Sequence, residues 1–487
     1  MTATPRSAED DARSTLLFGF LPVVPLAFLG LGLYRAWIEI TFVGSFAGLP
    51  FQTGPIGNMA FGARDLFDGS MAIVSLLCAL GAQRIGPFFN KKPVSVACGT
   101  LLVLSTVLAF CTALFPESTA ALGAPAAITG GVGIALLILL WSELYGCLNP
   151  LRVATYYSLS IVAGGLTIYV WRGFMFPWLF VMTAILPLAS LLCVHEGFRK
   201  IPQAELPHAA PTKLSVPWKA VFLMATYAFA YGLLESVSYS GWFGPHSAPG
   251  AILTGAVIFF AAAAQGKRFD FGVIYRVALP LTVAALLLIP ALNVFGSGVG
   301  SFCVAAGYTA QSVLIMVIIA NLCYRYGASA IWLFGIERGV RQIAMMAGRG
   351  VSDQAHLLGD NGEILLAALC VIAIVAATMI FMSEGLSSTW GAAMEKHDAN
   401  GATTPAERKN ELSSRVAEIA RACKLSAREE EVLFLLAQRK TVGIIERELF
   451  IANGTAKAHV RHIYQKLDIH TRQELFDMLG VPEEKDE

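Results

Sequence analysis

The residues best suited to chemistry lie near the C-terminus, in Ile451-Ala-Asn-Gly-Thr-Ala-Lys-Ala-His-Val-Arg-His-Ile-Tyr-Gln-Lys-Leu467. At about 100° per residue on a helix, Ala456, Val460, Ile463 and Leu467 share one narrow stripe, the spacing of a core-facing surface. Gly454, Lys457, Ala458 and Arg461 fall within about a quadrant on the other side. Between Leu449 and Leu467 there is no Asp or Glu, whereas Lys457, Arg461, Lys466, His459 and His462 are all present. A helix with one packed face and one cationic face of small residues can lie against a polyanion. B-DNA is the usual one, because its major groove admits a single helix and its phosphates attract the cations.

A second constellation sits in apolar sequence. Glu337-Arg338-Gly-Val-Arg341 falls in the middle of an apolar segment over 328–348 and sets Arg338 and Arg341 one turn apart at membrane depth. A charge there is costly without a partner. Two neighbouring guanidinium groups can hold a carboxylate or phenolate ligand, or be satisfied structurally by Glu337, Asp68 or Glu235. Glu235 and Trp242, at the outer end of another apolar segment, complete the candidate ligand set of Arg338, Arg341, Glu337, Glu235 and Trp242.

The elements around the basic helix are legible from their caps. Ser426-Ala-Arg-Glu429 has the S-x-x-E form of a capping box, and Val432, Leu433, Leu435 and Leu436 follow it as an apolar face. Arg439-Lys440 closes that helix with cations, as the helix dipole prefers. A second short helix carries Ile444, Ile445 and Leu449 and leads to Asn453-Gly454, read as the N-cap of the basic helix. Thr471-Arg-Gln-Glu474 is a further capping box and opens a fourth helix with Leu475, Met478 and Leu479. Short helix, turn, basic helix and short apolar helix make a helix-turn-helix unit with a potential dimer face.

Leu425-Ser-Ala-Arg-Glu-Glu-Glu-Val-Leu, Leu449-Phe-Ile, Gly454-Thr-Ala-Lys-Ala-His-Val and Lys466-Leu-Asp-Ile-His-Thr-Arg-Gln-Glu-Leu475 resemble the LuxR-type helix-turn-helix domain. The resemblance implies sequence-specific binding of double-stranded promoter DNA as a homodimer held through the fourth helix. Carried over position by position, it implies that Lys457, Ala458 and Arg461 face bases, and that Thr455, His459 and Lys466 lie nearer phosphates. Ala452 stands where the family usually has a capping Ser, which passes the cap to Asn453; Glu446 stands where a small residue is usual.

The remainder of the chain is of another kind. Of 487 residues 56% are hydrophobic and only 14% charged, too apolar for an ordinary soluble protein. Of the 35 basic and 34 acidic residues, 26 lie within 411–487, which splits the chain into a membrane part and a soluble part. The nine cysteines are scattered singly, with no C-x-x-C or Cys/His cluster, so neither a disulfide framework nor a metal site is indicated. The first fourteen residues are polar and lack the features of a cleaved signal peptide. No cofactor and no catalytic constellation of nucleophile, acid and base is readable, so an enzyme is not expected.

Taking ~20 apolar residues per crossing, twelve spans are expected: 15–40, 65–83, 93–115, 121–144, 151–171, 175–195, 217–238, 249–266, 272–292, 298–322, 328–348 and 363–383. The polar stretch from Glu196 to Trp218 divides them six and six. With the N-terminus inside, twelve cations flank inner ends (Arg84, Lys91, Lys92, Arg152 and Arg199 among them), against Arg35, Arg64, Arg172 and Arg349 outside. Both termini are then cytoplasmic. Six plus six spans resemble the major facilitator architecture. Its loop motif after the second span is matched by Arg84 and Gly86, but Gln83 stands in the place of its Asp.

The expected organisation is all-α: a cytoplasmic tail over 1–14, a transmembrane bundle over 15–383, a flexible linker over 384–410 and the helix-turn-helix domain over 411–487. A linker of about 27 residues has an r.m.s. reach of roughly 30 Å. Leu412, Val416, Ile419 and Cys423 form a helical stripe that docks on the domain. The leading functional expectation is a regulator in the cytoplasmic membrane that senses a small molecule in the bundle and binds promoter DNA through the tail. The alternative is a major-facilitator-type transporter with a cytoplasmic regulatory domain. Arg461→Ala should weaken binding of residues 405–487 to a cognate duplex by ~1–3 kcal/mol in a gel-shift titration; unchanged affinity and sequence preference would remove Arg461 from the base-reading set.

Overall fold

The computed structural model describes residues 16–17, 21–22, 24–43, 62–209, 211, 214–239, 248–264, 280, 282–283, 297–355, 360–381, 390–392, 405–449 and 451–480. Six helical segments among them are long and apolar enough to cross a membrane: Leu26–Val43, Lys92–Leu114, Pro116–Gly146, Pro150–Trp171, Phe176–Arg199 and Phe302–Tyr326. The bundle is built from α1 (Leu31–Ile38), α2 (Ala63–Leu80), α3 (Lys92–Leu114), α4 (Thr119–Gly146), α5 (Pro150–Trp171) and α6 (Phe176–Arg199) in its first half. The second half holds α7 (Trp218–Tyr239), α8 (Ala248–Ala264), α9 (Ser297–Tyr326), α10 (Ala330–Ala355) and α11 (Asp360–Phe381). Eleven of the twelve expected spans overlie these helices. The expected span 272–292 falls outside the described residues except at 280, 282 and 283.

The first span begins later than its apolar run. Leu16–Leu17 and Leu21–Pro22 pair as a two-residue antiparallel ladder, a small exception among described residues that are mostly helical. Pro22 and Pro25 lack the N–H that a helix interior needs, so helix starts only at Leu26 with a 3-10 turn. Helices α2 and α10 are less apolar because charged residues interrupt them. Arg64, Asp65 and Asp68 interrupt one, and Glu337, Arg338, Arg341 and Arg349 the other. These two helices pack against each other across the halves, and α5 packs against α8 in the same way.

Lipid offers little drive for helices to associate, so small residues at crossings matter. A Cβ on Gly32 of α1 would collide with the Ser160 carbonyl of α5, and one on Gly164 would collide with the Gly32 carbonyl. The glycine-rich stretch over 129–133 serves likewise: a Cβ on Gly131 of α4 would strike the Phe67 carbonyl of α2. Among aromatic anchors, Trp37 is fully buried and donates its indole N–H to Thr106 Oγ1 at 2.8 Å.

The C-terminal domain comprises α12 (Pro405–Ala422), α13 (Ala427–Ala437), α14 (Val442–Leu449), α15 (Asn453–Leu467) and α16 (Arg472–Leu479). Its core joins Val416, Val432, Leu433, Ile445, Ala456, Ile463 and Leu475, with Leu412, Ile419 and Cys423 packed on the outside as the stripe required. The capping box of α13 is present: Glu429 N–H donates to Ser426 Oγ at 3.3 Å and Ser426 N–H to Glu429 Oε2 at 2.7 Å. In α16, Glu474 N–H donates to Thr471 Oγ1 at 3.2 Å, but the Glu474 carboxylate reaches one residue further back, to His470 N–H at 2.9 Å.

Two expectations are corrected. The N-cap of α15 is Ala452, with no side-chain cap, and not Asn453. The Asn453 amide is turned back onto α14 and donates to Glu446 Oε2 at 2.7 Å, so Glu446 braces the turn. The domain is also docked and not loosely tethered. Tyr324, at the end of α9, belongs to the domain's own apolar core, and Arg325 beside it pairs with Glu430 at 2.6 Å. Of the expected linker, only 390–392 and 405–410 are described, and the latter already forms the first turns of α12.

Burial alone would raise the Glu429 carboxyl, but hydrogen bonds from Lys466 and from the Ser426 backbone and hydroxyl outweigh it and hold the group below its ordinary value. A depressed carboxylate stabilises the fold above the unfolded-state value and loses that contribution as pH falls through the folded one. Acid denaturation of the domain followed by circular dichroism should therefore show a Glu429-dependent loss of stability below about pH 4.5. Glu429→Gln should be less stable at neutral pH and flatter in that acid range; an unchanged profile would exclude the cap as its origin.

Candidate functional site

Two sites emerge, one on the C-terminal domain and one inside the bundle. On α15, Ala456, Ile463 and Leu467 are buried while Lys457, Arg461, His462 and Gln465 are exposed, so the cationic face points away from the core. Thr455 and Ala458 are half-buried beside them. Lys457 and Arg461 border an open groove of ≈ 560 Å³ that also takes in Val442, Tyr464 and His470. Lys466 is already engaged: its ammonium donates to Glu429 Oε2 at 2.6 Å and to the Lys424 carbonyl at 3.4 Å. His459 is half-buried, and desolvation together with the nearby Arg428 charge lowers its pKa, which keeps the imidazole neutral. It can therefore meet a phosphate as an N–H donor, not as a cation.

The buried site lies where the two halves of the bundle meet. A cavity of ≈ 100 Å³ is bordered by Tyr34, Arg35, Tyr157, Tyr308, Arg338 and Arg341, and also by the carboxylates of Glu39 and Asp68. Arg341 is anchored: its Nε donates to Glu337 Oε1 at 2.6 Å, its Nη1 lies 3.4 Å from Ser312 Oγ, and its guanidinium stands 5.9 Å from the Tyr308 ring. Arg338 is 6% exposed, its Nε has no hydrogen-bond partner, and its ion contact is Glu337 at 4.0 Å. Arg35 reaches across from α1 to Thr309 Oγ1 of α9 at 3.4 Å.

Of the structural partners foreseen for the arginine pair, Glu337 holds Arg341, whereas Asp68 and Glu235 serve other residues. Asp68 and Glu235 go to Arg349, at 2.7 and 2.8 Å, and Asp65 joins them at 3.0 Å. Arg64 completes the cluster, 3.3 Å from Asp68 and 3.8 Å from Glu235. Gln342 donates to the other Asp68 oxygen at 2.8 Å. Glu235 is thus bound into an ion cluster and does not border the cavity, while Glu337 serves as the arginine anchor. Trp242 lies outside the described residues. Arg35 and Glu39, four apart in the first apolar segment and costly in lipid without partners, both border the cavity; sequence reasoning missed Arg349 and Arg64 as partners, and Tyr34, Tyr157 and Tyr308 as cavity walls. The available signal was helical phase: Arg338, Arg341, Gln342, Met345 and Arg349 recur along one side of α10. Among the described residues no group of His, Cys, Asp and Glu is placed to hold a metal ion.

The fold and the exposed basic helix define a helix-turn-helix DNA-binding domain joined to a multi-pass membrane bundle. Residues 423–479 match the family of bacterial regulatory proteins of the luxR type. YhjB of Escherichia coli (strain K12), which carries the name of an HTH-type transcriptional regulator, is 39% identical over 57 residues. That match covers 12% of this chain and spans 28% of the length of YhjB. The solved structure of the proton:xylose symporter XylE of the major facilitator superfamily aligns over 74% of this chain and 95% of its own, with TM-score 0.50 and 12% identity. The human organic anion transporter MFSD10 aligns over 73% of this chain and 97% of its own, with TM-score 0.47 and 16% identity. The chain therefore carries a LuxR-type helix-turn-helix domain fused to a membrane domain of major-facilitator-like fold.

Arg349 and Arg338, both at the half interface, should differ in what their removal costs. Arg349→Ala leaves Asp65, Asp68 and Glu235 without their shared cation, and breaking a buried pair costs ~3–5 kcal/mol. Thermal unfolding in detergent should show a large loss for Arg349→Ala and a small one for Arg338→Ala. Equal losses would place Arg338 among the structural residues.

Proposed function

We propose that this protein is a one-component transcription regulator of the cytoplasmic membrane, in which the bundle senses a small molecule and α15 binds promoter DNA. The observation that carries the reading is the exposed cationic face of α15, with Lys457, Ala458 and Arg461 turned outward from a packed helix-turn-helix core. Arg461 and Lys457 contact base edges, and Thr455, His459 and Lys466 lie along the phosphates, Lys466 by exchanging its bond to Glu429. The uncapped start of α15 suits a backbone phosphate, since helix N-termini carry partial positive charge. DNA binding proceeds as a homodimer through α16, whose Met478 is 43% exposed. Arg84, Lys92, Arg199 and Lys200 are exposed near the bundle end that carries the DNA-binding domain, and by the positive-inside rule that end is cytoplasmic.

The ligand is an organic anion. Of the carboxylates bordering the cavity, Asp68 is taken by Arg349, Arg64 and Gln342, and Glu39 lies one turn from Arg35; Arg338 stands 4.0 Å from Glu337, Arg35 is held by the Thr309 hydroxyl, and tyrosine rings supply flat walls. A carboxylate or phenolate between Arg338 and Arg35 satisfies both cations in a low-dielectric site. Transcripts of genes neighbouring this one, compared between wild type and Arg338→Ala across a panel of small organic acids and phenols, test the reading. Arg338→Ala should abolish the response while its duplex affinity stays within about two-fold, a difference of ~0.4 kcal/mol. A response that persists in Arg338→Ala would overturn the ligand site, and a deletion strain with unaltered transcripts would overturn the regulator.

A further inference from the structure

Three separate parts of the membrane domain converge beneath the helix-turn-helix. Asn149, which caps α5 by accepting Arg152 N–H at 2.9 Å, donates its amide to the Glu448 carbonyl of α14 at 2.9 Å. From the other half, Arg325 in the last turn of α9 donates to Glu430 of α13 at 2.6 Å and stands 5.5 Å from the Phe434 ring. Tyr324 packs edge-on against the same ring at 6.0 Å. The connection between the halves supplies Glu205, which accepts from Lys440 at 2.5 Å. That ammonium also holds Glu448 at 2.7 Å and the Tyr324 hydroxyl at 3.3 Å.

This contact is unlike a surface charge encounter. The Arg325 and Glu430 side chains are only 4% and 11% exposed, so loss of either partner strands a desolvated charge and the pair tolerates little displacement. Its counterpart at Asn149 belongs to the first half and depends on hydrogen-bond geometry as strict. A shift of α5 relative to α9 must break one contact or the other. Helix α14 also has a second use. In a helix-turn-helix the helix ahead of the recognition helix crosses the DNA backbone. With its last turn against α5, and with the Lys440 charge taken by Glu205 and Glu448, that side is not open to a duplex.

We infer that the helix-turn-helix domain is a state-specific ligand of its own membrane domain: it docks while the halves hold Asn149 and Arg325 in their present relation, and undocking frees α14 for DNA. The inference rests on the DNA-binding reading of α15 and adds the surface through which the bundle controls it.

The test uses the full chain in lipid nanodiscs, with hydrogen exchange over 147–152 and 430–449 and binding of a short random-sequence duplex at low salt. Arg325→Glu and, from the soluble side, Glu430→Arg should each speed exchange and tighten duplex binding about ten-fold, the change expected when roughly one domain in ten is undocked in the wild type. The double charge swap should return both readouts toward wild type. Wild type that binds the duplex as tightly as both single variants overturns the inference and leaves the DNA reading intact. Faster exchange in the variants with no duplex binding by any of them overturns the DNA reading, and with it the competition for α14. A double swap that restores neither readout overturns the docking geometry.

Discussion

A charged side chain surrounded by apolar helices must meet a counter-charge, and in this bundle that requirement fixes how the halves face each other. Asp68 is fully buried and receives Arg349, Arg64 and Gln342, at 2.7, 3.3 and 2.8 Å. Glu235 of α7 closes the cluster on Arg349. One carboxylate thereby ties α2 of the first half to α10 of the second, and α7 joins through the same guanidinium. Where lipid competes with apolar packing on nearly equal terms, such a cluster specifies the pairing more sharply than leucine contacts do. The neighbouring cavity inherits its character from what the cluster leaves over: with Asp65, Asp68 and Glu235 committed, Arg338 is left with the distant Glu337.

The same principle recurs at the other end of the bundle with a different outcome. The docked surface combines one buried ion pair, Arg325 with Glu430, and a three-way site around Lys440, each reaching between domains. The apolar contact there includes the Tyr324 and Phe434 rings. Interfaces held by a few buried polar contacts favour discrete arrangements over gradual sliding, which is the property a two-state regulator requires. The halves are thus joined near the cavity by one set of charges, and both are joined to the DNA-binding domain by another.

Much of this was legible in the residues. The stripe of Ala456, Ile463 and Leu467, with Val460 partly buried beside them, the capping box at Ser426 and the helices under eleven apolar segments follow from hydropathy, periodicity and cap chemistry, which are local. The N-cap of α15 was misread because Asn is ordinarily a good cap. A tertiary bond to Glu446 took its side chain instead. The partners of Arg338 and Arg341 were named correctly only for Glu337, one turn away on the same helix. Arg349 is separated from Asp68 by 281 positions, and no spacing rule reaches that far. Docking was illegible for the same reason. The polar stretch after Phe381 looks like any solvated connector, and the residues that hold the domain, Asn149, Glu205, Tyr324 and Arg325, lie scattered through the membrane half.

Tyr324 has a dual membership that constrains how the two domains can be recombined. Its backbone completes the last turn of a membrane helix, whereas its ring is part of the interior of a domain that begins about eighty positions later. A gene fusion that merely placed a ready-made DNA-binding module behind a transporter-like bundle would leave that ring on open ground. Here the module's interior includes a residue of the bundle, so exchanging either piece for another would leave that ring, or the core it fills, without its fitted neighbour.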